Sequence, residues 1–311
     1  FERARNEAVA PDELIRKQLD AILDGGAYTS PEPYLDFQRA IQLCSRTLQS
    51  AEVDGAPEER LEFFGNMLGS EDPQVRTLSH LEVAGAPYNE IRKLGDALPP
   101  SELRAFLDNV RYIEWHALYI LLLAQSDDEG DRERIREAVK TAERYSLTTQ
   151  LGAWATAFVE IDELAAIDFI DQQILSDPNR KAEEIKAVIA ALSVHATNGH
   201  THLRDRITQS YRAALENYPT MAPSLVGDLK KWERWELADS VRAALSDPAV
   251  AADFASVQPL RAFLLAAEAG RQSEDAKGGG SGSGKLLPLL IVALIGLPLF
   301  LAFLAKGRTR E

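Results

Sequence analysis

Three of the five histidines in this 311-residue chain fall within eight positions, in the run His195-Ala-Thr-Asn-Gly-His200-Thr-His202. Imidazole is the commonest protein ligand for zinc and copper, so such a run is the first place to look for a metal. A metalloprotease helix sets two histidines four apart with a glutamate beside the first, and that spacing is absent. No carboxylate follows at a fixed interval either. The expectation is an ordinary polar loop between helices, with no metal and no cofactor. If an ion does bind, His195, His200 and His202 are the residues to hold it.

Two aromatic clusters are the other places where chemistry is conceivable. In Glu114-Trp115-His116, flanked by Tyr112 and Tyr119, the glutamate is placed to accept a proton in an aromatic pocket. The spacing of Tyr112, Trp115 and Tyr119 puts all three rings on one helix face, which reads as a core or groove stripe. In Lys230-Lys231-Trp232-Glu233-Arg234-Trp235-Glu236, two tryptophans stand among charges. Trp and Arg are enriched at binding hot spots, so Trp232, Trp235 and Arg234 are partner-binding candidates, with core burial of a tryptophan as the competing reading. The acidic run from Ser126 to Asp131 suggests calcium, but its glycine is misplaced for the EF-hand loop, so it reads as a solvated helix start. There is no glycine-rich phosphate loop, no Gly-x-Ser-x-Gly elbow and no His-Glu-x-x-His motif. No catalytic residue is assigned, and the chain is expected not to be an enzyme.

The segments that would position these residues are helical throughout. Apolar residues recur at helical spacing from Pro11 onward, and no run alternates as a strand does, so the fold class is all-α. Helices are expected over 11–23, 31–48, 57–68, 87–98, 101–107, 112–125, 132–145, 148–160, 163–175, 182–196, 203–216, 222–232, 235–245 and 257–269. Each is too short to bury its apolar stripe alone, and antiparallel pairs sharing one core are the remedy.

The turn Asp72-Pro73-Gln74-Val75-Arg76, with Leu78 and Leu81 behind it, carries the most specific pattern. Asp-Pro recurs at Asp177 and Asp247, separations of 105 and 70 residues, and Val110-Arg111 follows Val75-Arg76 by 35, a period of one helix pair. This resembles the inter-helix turn of HEAT repeats, in which Asp caps, Pro takes the first helical position, Val packs inward and Arg lies across the turn. The resemblance covers residues 57–270. It implies an α-solenoid of antiparallel helix pairs, HEAT- or TPR-like, akin to bacterial helical-repeat proteins of uncharacterised function, and it implies no activity. Residues 1–56 read as a helical cap or arm, and residues 57–276 as the repeat domain.

The C-terminus places that body. Residues 277–285 are almost wholly glycine and serine, a flexible linker. Residues 286–305 are uncharged and apolar, and twenty helical residues reach about 30 Å, the thickness of a bilayer core. From Leu286 to Ala305 the stretch reads as a single transmembrane helix, with Phe300 and Phe303 among its apolar residues. Pro288 is harmless in the first turn, while Pro298 beside Gly296 predicts a kink. The basic tail 306–311 ends the chain.

The net charge of −14 is uneven: from Lys277 on there are five bases and one acid, so residues 1–276 carry −18. That field disfavours nucleic acid. One cysteine, Cys44, excludes an internal disulfide. Three basic residues flank the span on each side, but those behind it are packed closely. The expected topology is therefore a periplasmic or exterior body with a cytoplasmic tail. The chain opens at Phe1, which leaves a processed N-terminus open.

Taken together, these features predict a membrane-anchored helical scaffold or accessory subunit. Its partners would be other proteins of a membrane complex and the lipid bilayer. Two alternatives stand beside it: an exported surface protein whose C-terminus is a sorting signal, and an enzyme with a hidden site at Glu114 and His116.

Overall fold

The computed structural model describes residues 56–278, with side-chain surroundings for 60–270. The expected N-terminal cap, Cys44, most of the linker, the span 286–305 and the basic tail lie outside the described residues. Among those described there is no strand, and no helix is long and apolar enough to cross a membrane. The chain divides into two compact units, 1–264 and 265–311, and the described part of the second is the helical stretch 265–278.

The helices of the first unit follow one another with short turns. They are α1 Ala56–Asn66, α2 Pro73–Ala84, α3 Tyr88–Ile91, α4 Pro100–Leu107, α5 His116–Leu123, α6 Glu129–Tyr145, α7 Leu151–Asp162, α8 Leu164–Ile170, α9 Ala182–Asn198, α10 Arg204–Asn217, α11 Ala222–Lys231, α12 Ala238–Leu245 and α13 Pro248–Ala251. A last helix, α14, spans Phe254–Gly278. α7 is the hub of the core: its small residues Ala155, Thr156, Ala157 and Val159 are buried and let α5, α6 and α9 approach it. α5 contributes Leu118, Tyr119, Ile120, Leu122 and Leu123, buried almost all round.

Contacts between elements recur at about one helix pair of sequence separation. Gln150 Nε2 donates to Ile113 O, Lys181 Nζ to Ser146 O, Asn217 Nδ2 to Leu175 O and Trp232 Nε1 to Thr197 Oγ1, at separations of 37, 35, 42 and 35 residues. This is a many-helix fold compatible with a helical repeat. The Asp72 turn has the expected parts. Its carboxylate accepts from Gln74 N at 2.7 Å and Val75 N at 3.3 Å, Val75 is fully buried, and Arg76 Nη1 donates to Ser70 O at 2.8 Å. Asp247 caps α13 in the same way. Asp177 does not cap a helix: it accepts from Asn179 N in a turn, and α9 begins only at Ala182.

Three local departures from the sequence reading have physical causes. The helix expected over 112–125 starts at His116, because Asn109 caps a separate 3-10 turn over Val110–Tyr112. The helix expected over 163–175 starts at Leu164 and widens into a π turn over Asp171–Leu175. The acidic run before α6 is only partly solvated. Asp128 caps that helix, while Asp131 is buried in a bidentate pair with Arg104 at 2.6 and 2.8 Å and accepts from Ser126 Oγ.

Two helices end in left-handed residues that are not glycine. Ser146 (φ 50°) closes α6 with Leu147 N bonded back to Ala142 O, and Glu233 (φ 59°) closes α11 with Arg234 N bonded to Leu229 O. Both have the backbone of a Schellman cap, where a Cβ is a penalty. Replacing either with glycine is expected to stabilise the fold by about 0.5–1 kcal/mol, read from the denaturant midpoint at constant slope.

His80 is buried between α2 and α5, stacked on Trp115 at 4.6 Å and beside Tyr119 at 5.9 Å. Burial lowers its pKa to about 4. The unfolded chain takes up this proton near pH 6.5 and the folded chain only near 4, so the stability held above pH 6.5 is lost as pH falls through that window. His80→Phe keeps the stacking and removes the proton site. The variant should lose less stability than the parent between pH 6.5 and 4, by an amount of order 1–3 kcal/mol, in denaturant titrations at both pH values.

Candidate functional site

The described residues gather polar and ionisable groups most densely where α7 ends, α9 ends and α3 crosses them. α9 carries His195 in its last turn. Asn198 ends the helix and Gly199 turns the chain so that His200 and His202 fold back over it. A Cβ on Gly199 would lie 2.8 Å from His195 Nδ1 and 3.0 Å from His195 Cα, so the turn requires glycine. Opposite, α7 ends at Asp162, and Glu163 stands at φ 43° as the corner residue before α8. A non-glycine residue there is strained, and the strain fixes where its carboxylate projects.

Glu160, in the last turn of α7, is the charge at the centre. Its side chain is only 7% exposed. Oε1 pairs with Arg92 at 2.9 Å, and Oε2 accepts the Tyr88 hydroxyl at 2.8 Å and lies 3.3 Å from His200 Nε2. Burial would raise its pKa, but the adjacent His200, the hydrogen bond from Tyr88 and the charge of Arg92 outweigh burial and hold the group at about 2. Burial, and then the Glu160 charge, push the Tyr88 phenol upward. The Glu160 carboxylate beside it raises His200 against the opposing effect of burial.

His195 and His202 face different surroundings. His195 is fully buried, and burial lowers it to about 4, so it is neutral at physiological pH. Its Nε2 donates to Thr156 O at 2.8 Å, which leaves Nδ1 as a bare lone pair without a partner. Its ring stacks on His200 at 5.4 Å and meets Tyr88 edge-on at 5.3 Å. His202 is exposed, with Nε2 3.0 Å from Glu163 Oε2, and His200 Nδ1 lies 3.8 Å from Glu163 Oε1.

The three histidines singled out by sequence thus converge, and they do so on two carboxylates that sequence reading passed over. Glu160 and His195 are 35 residues apart, and Glu163 and His202 are 39 apart, which is one helix pair. The period seen at the Asp-Pro turns was the available signal. Tyr88 and Arg92, some seventy residues before Glu160, had none.

The other candidates lie apart from this cluster. Trp232 is buried, donates to Thr197 and packs on Tyr211 at 5.2 Å. Trp235 is half-buried against Phe263 at 5.6 Å, and Arg234 pairs with Asp205. Tyr112 packs against Trp115 at 5.8 Å and Phe106 links Tyr112 to Tyr119, on which it stacks at 4.6 Å, but α5 begins only at His116, so the three aromatics do not lie on one continuous helix as expected. His116 Nε2 is 3.2 Å from Asn109 O, while Glu114 points to solvent and makes no ion pair among the described residues.

Comparison with known proteins finds no matching family model, no similar curated protein and no similar solved structure.

Gly199→Ala forces a methyl group against the backbone and ring of His195. A loss of about 1–3 kcal/mol is expected, seen as a lower melting temperature, whereas Gly227→Ala, where a Cβ meets nothing within 4 Å, should be neutral or slightly stabilising.

Proposed function

We propose that the chain is a membrane-anchored scaffold or accessory subunit: an α-solenoid of HEAT-like helix pairs, tethered by residues 277–285 to a span over 286–305, that binds another protein of a membrane complex. The observation that carries the reading is an apolar edge with no internal purpose. Val110 and Ile113, before α5, Tyr145 at the end of α6 and Leu147 just after it are exposed, Val110 by 73% and Tyr145 by 64%. The two segments are joined by the hydrogen bond from Gln150 Nε2 to Ile113 O. Exposed apolar residues that gather in one patch are a usual signature of a protein-binding site. Trp235 and Arg234 remain candidates for a second contact. The acidic body suits a partner with a basic rim around its apolar centre.

The test uses the full chain purified in mild detergent, with companions identified by mass spectrometry. A companion retained by the parent should be lost from a Val110→Glu/Ile113→Glu/Leu147→Glu variant whose melting temperature is unchanged. A clean monomer, or a companion indifferent to the three charges, overturns the reading. Intact mass of the membrane-extracted protein tests the anchor: with residues 286–311 present the span is retained, and with them absent the C-terminus is a cleaved sorting signal.

A further inference from the structure

We propose that Glu163, His200 and His202 form a binding site for one divalent ion of the zinc class, with Glu160 as the outer carboxylate that orients His200. The site is independent of the scaffold reading and of the membrane anchor.

The argument begins with the donor atoms. One carboxylate oxygen of Glu163, a ring nitrogen of His200 and one of His202 all lie within 4.8 Å of one another. Glu163 Oε2 is 3.0 Å from His202 Nε2, and Glu163 Oε1 is 3.8 Å from His200 Nδ1. Donors about 2.0–2.2 Å from a tetrahedral zinc ion sit about 3.4 Å apart, so these distances bracket the required spacing without a change of fold. Two imidazoles and one carboxylate match zinc and its neighbours rather than magnesium or calcium, which prefer oxygen alone. The imidazole planes of His200 and His202 stand at 82°, which lets two lone pairs approach one point from different sides.

The surroundings supply what three donors alone do not. A ligating histidine normally gives its second N–H to a carboxylate, which fixes its tautomer and makes the ligating nitrogen more basic. Glu160 is in that position, 3.3 Å from His200 Nε2, and is itself held by Tyr88 and Arg92. The approach falls off the line of a hydrogen bond, leaving His200 Nε2, a buried nitrogen, without an aligned acceptor. A small rotation of the ring as Nδ1 engages an ion would align it. Glu163 and His202 are 46% and 60% exposed, so an ion can enter from solvent and would keep an open position on that side. Because the ligands come from the α7–α8 corner and the α9–α10 turn, a bound ion would cross-link two segments that only side chains join.

The experiment is calorimetric titration of zinc into the untagged full chain in mild detergent, paired with cobalt as a spectroscopic probe. One zinc per chain is expected, together with the visible absorption of a four-coordinate cobalt ion that zinc abolishes. Zinc should also raise the melting temperature in a concentration-dependent way. Glu163→Gln and His202→Ala alter half-exposed side chains and should fold as the parent does, yet lose the cobalt spectrum and the thermal shift. Glu160→Gln should retain the site with affinity weakened roughly 10–100-fold. Absence of a saturable single-ion isotherm overturns the proposal. So does binding that persists unchanged in Glu163→Gln and His202→Ala, since the ion would then sit elsewhere on the acidic surface.

Discussion

A carboxylate taken out of water has to be met by donors, and Glu160 is met from three directions in sequence. Arg92 and Tyr88 come from the α3 region some seventy residues earlier, and His200 comes from the turn after α9, forty residues later. The cost of desolvating one such charge runs to several kcal/mol and is recovered only when every partner is in place. Deleting a single partner therefore costs more than one hydrogen bond, because the charge that remains is still buried. The consequence is architectural. α3, α7 and the α9–α10 turn cannot slide past one another without exposing or stranding Glu160, which gives this part of an otherwise greasy helix array one register.

The same logic recurs along the first unit. Arg104 reaches back from α4 to Asp131, Arg136 from α6 to Asp162, and Arg206 from α10 to Asp168 and Asp171. Arg180 links the approach to α9 with Glu143 at the end of α6. Apolar stripes decide that helices pack, but ridges of Leu, Ile and Val tolerate several registers. A planar guanidinium meeting a carboxylate on a neighbouring element does not, since its fork fits in one geometry. The core supplies the driving force and the arginines choose among its solutions.

How much of this could be read from the sequence depended on whether a feature was local. Helix content and the Asp72 cap, with Val75 turned inward and Arg76 bonded across the turn, are set by residues within one or two helical turns. They were legible for that reason. The start of α5 was misjudged because apolar periodicity runs straight through Val110–Tyr112, while the cap that interrupts it is a single asparagine. The histidine run was visible as a run. Its carboxylates were not, because Glu160 and Glu163 belong to another helix and look like any surface acid. Their only trace was the interval of one helix pair, and a period seen in capping motifs was not carried over to ionisable residues. Asp177-Pro178 shows the opposite error: it fits the interval but makes an Asx-type turn, since Arg180 and Lys181 delay the helix to Ala182.

The two functional readings meet on α7. Before this helix stand Tyr145, at the end of α6, and Leu147, two of the exposed apolar residues, and the corner after it is Glu163, which is strained at φ 43° and faces His200 and His202. A helix of twelve residues is about 18 Å of nearly rigid rod. An ion bound there would fasten one end of that rod to the α9–α10 turn, and the exposed apolar residues lie toward the other end. Such a link needs no change in the contacts of those residues. Rigidifying a surface before binding lowers the entropy a partner must overcome, so coupling of this kind acts on affinity through order rather than shape. The strained backbone at Glu163 fits that role. A corner held in an uncommon conformation persists only when its neighbours over-determine it, and ligation by Glu163, His200 and His202 would tighten the contacts that Glu163 already makes to the two histidines.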